Sequence, residues 1–137
     1  MNQNIALDSC VVIDIIEKPK IASGLKAGLR GKTVKIILCD IVLDEVRRVR
    51  GYLPDKVIAK VSSLLGRIVE KSDSSDVDIL NAQQISKQFQ ICHNGDNKIL
   101  SLCQAKDFVL VTFDRMLLKT CGFVGVAAFH PSMVGGI

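Results

Sequence analysis

Four acidic side chains stand at four separated points of this chain, each where a strand should end or a helix begin. They are Asp8 in IALDSC, Glu45 in LDEV, Asp96 in NGDNKIL and Asp114 in VTFD. Brought together by a fold, they would form a pocket of clustered negative charge with no base beside it. Like charges about 4–6 Å apart raise one another's pKa and work against folding. Such a pocket makes physical sense as a seat for hard divalent cations, because carboxylate oxygens are the ligands that Mg²⁺ and Mn²⁺ prefer. An ion held in this way can activate water against a phosphodiester.

Each acid also has an ordinary reading. Asp8, Asp96 (after Asn94-Gly95) and Asp114 could cap the helices that follow them, and Arg115 could pair with Asp114. Glu45 could meet Arg48 on a helix surface. Helical angles separate Glu45 from its neighbour. Val42, Val46 and Val49 are expected to form one buried stripe; at roughly 100° per residue, Glu45 lies about 60° from it and Asp44 about 160°. Only Glu45 can border a pocket at the edge of a sheet. Asp14 should face solvent.

The elements that must position these acids can be read from hydrophobic period. Ile5 to Asp8 is a short apolar strand ending on an acid, and VVIDIIEK has helical spacing that Pro19 stops. IASGLKAGLRGK reads as a second helix ended by Gly31, and VKIILCD as a strand buried on both faces. Asp40 can cap IVLDEVRRVRG, which closes at Gly51. LPDKVIAKVSSLLGRIVE is a strong helix with Val57, Val61, Leu64, Leu65 and Ile68 on one face, followed by a short strand near Ile68 to Glu70. SDSSDVD is a polar lead into the helix ILNAQQISKQF. DNKILSLCQAKD is helical, FVLVTFD a buried strand, RMLLKTCGF a short helix and VGVAAF a last strand. The alternation gives an α/β class with a parallel sheet and right-handed crossovers. It is read as one domain over 1–131 with a flexible tail at 132–137. In such sheets ligands bind beyond the carboxyl ends of the strands, where Asp8 and Asp114 lie.

The bulk numbers fit this. The 137 residues carry a net charge of +4, are 48% hydrophobic and contain no Trp, so the core must be aliphatic. From Lys18 to Lys71 there are 13 Lys and Arg against 5 Asp and Glu, a balance of +8; the remainder holds 5 against 9, a balance of −4. A basic half beside an acidic pocket suits an enzyme acting on a polyanion. Arg47, Arg48, Arg50, Lys56 and Lys60 are the candidate phosphate contacts, with Lys26, Arg30 and Lys32 as the fallback path. Five cysteines (Cys10, Cys39, Cys92, Cys103, Cys121) have no zinc-like spacing and read as small buried hydrophobes in a reducing compartment. No leader-like segment and no apolar run near ~18 residues is present, so a cytoplasmic protein with no membrane partner is expected. Neither His93 nor His130 is arranged as an acid–base pair.

LDSCVVID, VLDEV, GDNKILSLC and VLVTFDRML together resemble the four-acid pattern of the PIN domain, over roughly Ile5 to Phe129. The resemblance implies a three-layer α/β/α fold with a central parallel sheet of about five strands in the order 3-2-1-4-5. It implies an Mg²⁺- or Mn²⁺-dependent ribonuclease in which Asp8, Asp96, Asp114 and Glu45 hold metal and catalyse. Ser9 and Thr112 would support them by hydrogen bonds. Asn97 stands where many relatives carry a further Asp, which weakens any second metal site. The size resembles single-domain toxins of the VapC type and archaeal PIN proteins. It implies an RNA substrate, an antitoxin protein and a homodimer as partners. Two rivals remain: a PIN-like module that binds RNA or protein without cutting, and a phospho-acceptor domain. The second would want a Lys at the end of a late strand, which VGVAAFHP lacks.

Overall fold

Ile36, Ile37, Leu38 and Cys39 follow one another without a polar side chain, and all four are buried. A strand apolar on both faces has to lie inside a sheet covered on both sides. In a computed structural model of the chain, which describes residues 3–73, 76–89 and 96–137 (side chains of 76–79 and 89 excepted), that is where it lies. β1 (Gln3–Leu7) pairs with β2 (Val34–Cys39) through Ile5 opposite Ile36, and with β4 (Val109–Val111) through Leu7 opposite Val111. β3 (Val69–Ser72) and β5 (Ala128–Phe129) close the edges, giving a five-stranded parallel sheet in the order β3-β2-β1-β4-β5.

Helices connect the strands: α1 (Ser9–Glu17), α2 (Pro19–Gly28), α3 (Asp40–Arg50), α4 (Pro54–Leu65), α5 (Asp76–Phe89), α6 (Asp96–Lys106) and α7 (Arg115–Val124). The first two crossovers lead from β1 towards β3, and the later ones lead to β4 and β5 on its other side. The strand order therefore reverses between β1 and β4. In open parallel sheets, ligands bind beyond the carboxyl ends of the strands at such a reversal.

Several boundaries differ from expectation for local reasons. Pro19 does not merely stop a helix; it is the first residue of α2, where its missing N–H costs nothing. α2 then ends at Gly28 rather than Gly31. α4 stops at Leu65 because Gly66 turns left-handed, so Ile68 falls outside the helix and is exposed. Gly125 ends α7 in the same way and leaves only two residues for β5. Asp40 lies one residue inside α3, whose N-cap is Cys39, and its carboxylate accepts the N–H of Ile41 at 2.8 Å.

The stretch 132–137 is not a loose tail. Pro131–Gly136 forms a 3-10 helix with Val134 buried, packed on α2. Gly28 makes this possible, since a Cβ there would stand 2.6 Å from Val134 Cγ2. Lys32 Nζ donates to the carbonyl of Ile137 at 2.6 Å, tying down the end. Cys39, Cys103 and Cys121 are buried as expected, whereas Cys10 is exposed; Cys92 and His93 lie outside the described residues, as do Asn94 and Gly95. Among the described residues no helix is long and apolar enough to cross a membrane.

Candidate functional site

The chain leaves the sheet at Asp8, one residue past β1, and again at Thr112-Phe113-Asp114, just past β4. Because β1 and β4 are neighbours in the sheet, the two exits meet. Asp8 is 5% exposed and Thr112 is fully buried. Thr112 Oγ1 donates to Asp8 Oδ2 at 2.8 Å and accepts the backbone N–H of Asp114 at 3.1 Å. One hydroxyl thus fixes a carboxylate on one strand exit and the backbone of an acid on the next.

Both acids also cap helices. Asp8 Oδ1 accepts from the N–H of Ser9 at 2.8 Å. Asp114 Oδ1 accepts from the N–H groups of Met116 and Leu117 at 2.9 and 3.1 Å. Capping does not compete with a further role, because a carboxylate has two oxygens and about four lone-pair directions. Among the described residues no ion pair touches Asp8, Glu45 or Asp114, and Arg115 is not paired with Asp114. Every buried side-chain oxygen and nitrogen among the described residues has a partner.

Glu45 lies half-buried on α3 while Asp44 is exposed. Val42, Leu43 and Val46 form the buried face of that helix, and Val49, assigned to it from sequence, is 53% exposed. Asp96 opens α6 and is half-buried. Asn97 donates its amide to the carbonyl of Ala82 at 3.1 Å, so its side chain joins α6 to α5. Ser9 is buried beside Asp8. Among the described residues no three His, Cys, Asp or Glu side chains converge closely enough to grip a metal ion. The structure joins Asp8 to Asp114 through Thr112; it does not draw Glu45 and Asp96 into one ligating cluster with them.

A further acid of this edge, Asp40, is expected from the sequence only as a helix cap. Asp40 follows β2 as Asp8 follows β1, so ILCD repeats the strand-then-acid pattern of IALD and VTFD. Burial first, then Asp40 and more weakly Asp8, push the Cys39 thiol up to about 11. Cys10 Sγ lies 3.6 Å from Asp8 Oδ2, and desolvation followed by that carboxylate raises its thiol to about 11. Cys10 is therefore a neutral thiol at neutral pH, and the donor set stays one of hard oxygens. That chemistry fits Mg²⁺ or Mn²⁺.

The basic residues divide. Arg47 and Arg48 are exposed at the end of α3, where they also complement the helix C-terminus. Arg50 Nε meets Glu17 Oε2 at 2.9 Å, and Tyr52 OH donates to the same oxygen at 2.6 Å. Those bonds, Tyr52's first, hold the Glu17 carboxyl below its usual range. Lys56 and Lys60 line an apolar cavity of about 160 Å³ with Ile16, Tyr52 and Val57. Lys26 and Arg30 line another, of about 260 Å³, beside Arg67. Arg30 and Arg67 precede β2 and β3, so this second cavity is at the amino ends of the strands, opposite Asp8 and Asp114.

The chain is thus a parallel α/β/α protein with acids at its β1/β4 switch point, and the sequence model of the PIN domain matches residues 5–122. The chain belongs to the PIN domain family. No curated protein matches it. Its fold is similar to that in VapBC2 of Rickettsia felis bound to promoter DNA, with 19% identity, a TM-score of 0.70 and coverage of 93% of this chain and 98% of that one. VapBC-1 of nontypeable Haemophilus influenzae is similar at 14% identity and a TM-score of 0.68, covering 95% and 99%. FitAcB of Neisseria gonorrhoeae is similar at 20% identity and a TM-score of 0.60, covering 93% and 97%.

Proposed function

We propose that this protein is a metal-dependent endoribonuclease that hydrolyses RNA phosphodiesters. The observation that carries the proposal is the Asp8–Thr112–Asp114 arrangement at the switch point: two acids from adjacent strand exits, joined by one buried hydroxyl and, among the described residues, in no ion pair. Asp8 and Asp114, already joined through Thr112, would hold Mg²⁺ or Mn²⁺ together with Asp96 once α6 moves closer on ion binding, with Glu45 as a further ligand or as the group that orients the attacking water. The ion, when bound, supplies a water of lowered pKa and offsets charge on the phosphoryl oxygens. Thr112 and the Ser9 N–H hold the two oxygens of Asp8 in place, so that little reorganisation is needed when substrate arrives. Asn97, bonded to Ala82, braces the helix that carries Asp96. Arg47 and Arg48, with Lys56 and Lys60, would bind RNA phosphates rather than take part in chemistry.

The similarity to VapBC and FitAcB structures supports a toxin setting with an antitoxin protein as partner; a cytoplasmic homodimer completes this reading. RNA processing is the other setting for the same chemistry. The test is cleavage of a labelled single-stranded RNA by the purified protein with Mg²⁺, with Mn²⁺ and with EDTA. Cleavage should require the ion and stop in chelator. Saturating Mg²⁺ should also raise Tm, since it binds only the folded chain. Undiminished cleavage in EDTA would overturn the metal mechanism; RNA binding without cleavage under every condition would return the chain to the non-cutting reading.

A further inference from the structure

Phe113 stands between Thr112 and Asp114, yet its side chain belongs to a different feature. A cavity of about 370 Å³ opens between α2, the turn after β4 and the C-terminal 3-10 helix, lined on one side by Lys20, Ile21 and Gly24 and on the other by Phe113 and His130. Its volume falls within the ~300–1,000 Å³ of small-ligand clefts. Phe113 follows β4 and His130 follows β5, so this wall of the cavity lies at the carboxyl ends of the strands, where Asp8 and Asp114 also stand. Both rings are only half-buried, and they meet edge to face with centroids 5.3 Å apart.

His130 is fixed in one tautomer. Its Nδ1 accepts the backbone N–H of Ser132 at 3.2 Å and lies 2.7 Å from Ser132 Oγ. A nitrogen that accepts an N–H carries no proton, so the neutral ring keeps its proton on Nε2 as a donor. Lys20 is exposed at the cavity rim. The feature therefore offers an aromatic ring, one ring N–H and one cation, with Phe113 directly before Asp114 in the chain.

We infer that this cavity is a nucleobase subsite, in which a base of single-stranded RNA next to the scissile phosphate stacks on Phe113. This rests on the ribonuclease reading for its substrate. His130 Nε2–H donates to an acceptor on the base edge, and Lys20 meets the adjoining phosphate. Stacking on an aromatic face tolerates any base, whereas the His130 donor selects for acceptor edges. Sequence preference, where the enzyme has one, is then set by His130 rather than by the acids.

Gly24 supplies a steric test that leaves the acids alone. It lies within α2, and a Cβ there would meet nothing within 4 Å. A side chain can therefore leave the backbone at this position, and Gly24→Leu sets an apolar group on the cavity wall while improving helix propensity. Binding of a fluorescein-labelled single-stranded RNA is followed by anisotropy in EDTA, and cleavage separately with Mg²⁺. Gly24→Leu and Phe113→Leu should each weaken binding roughly 5- to 100-fold, with Tm held or raised for Gly24→Leu. Phe123→Leu, the same exchange on α7, should leave binding unchanged. An RNA bearing one 5-iodouridine should crosslink to Phe113 on illumination. Unchanged binding in Gly24→Leu, with wild-type cleavage intact, overturns the subsite and spares the nuclease. Wild-type RNA binding that depends on Phe113 and Gly24 without any cleavage upholds the subsite and overturns the nuclease. Absence of RNA binding by the wild-type protein overturns the subsite.

Discussion

The two ends of the central sheet use opposite charges in opposite ways. At the amino ends, the Arg67 guanidinium donates to the carbonyls of Leu29 and Lys32, and Lys32 donates to the carbonyl of Ile137. These cations are consumed by backbone acceptors, and they pin the loop before β2 to the start of β3 and to the C-terminal segment. At the carboxyl ends, Asp8 and Asp114 receive N–H and O–H donors, and among the described residues neither is opposed by a cation. A charge whose partners are all internal holds a fold together. A charge oriented by neutral donors keeps an oxygen for something else. The sheet is thus fastened at one end and prepared at the other.

The sharpest way to break that contrast is Asp114→Asn. Asn caps helices about as well as Asp, so Tm should stay within a degree or two while cleavage falls by more than about 100-fold, equivalent to roughly 2.7 kcal/mol in the barrier. A large fall in Tm with cleavage per folded molecule retained would make Asp114 a structural cap. Thr112→Val should show both effects. It removes the hydroxyl that serves Asp8 and Asp114 together, leaving an N–H and a carboxylate oxygen without that partner. Activity should drop about 10- to 100-fold and stability by roughly 1–3 kcal/mol, read by steady-state assay and urea denaturation. Loss of stability alone would deny the hydroxyl any part in the site.

Arg67→Met tests the fastened end. It should cost roughly 1.5–3 kcal/mol of stability, because two carbonyls lose a charged donor, and leave kcat per folded molecule unchanged. A drop in kcat would show that the two ends communicate. The smallest effect is expected from Asp44→Asn, which should be nearly silent in both assays, while Glu45→Gln lowers cleavage. Equal losses from the two would refute the assignment of Glu45 to the site side of α3.

Periodicity and punctuation made much of the fold legible. The apolar run VKIILC specified a doubly covered strand, and the amphipathic face Val57, Val61 and Leu65 specified α4, because apolar surface patterned in these ways has to be buried. Ends were less legible. Val124 reads equally well in a strand or a helix, and only the left-handed turn at Gly125 settles it. The tail Ser132–Ile137 reads as flexible from composition; its docking depends on Gly28, more than 100 residues away.

The same divide runs through the candidate site. Which acids end strands was legible in the chain alone, since a carboxylate is costly in a sheet interior and welcome at a helix start. The chain also carried the family pattern. Tertiary structure decided that β4 lies beside β1, so that Thr112 reaches Asp8 across 104 residues of chain. It brought Asp40 to the same edge and turned Asn97 towards Ala82. It also left the four acids short of a three-donor cluster among the described residues. Local sequence fixes which groups a backbone can offer at each strand end. Which ends meet is set by the packing of a sheet whose strands are distant in sequence, and no local pattern encodes that distance.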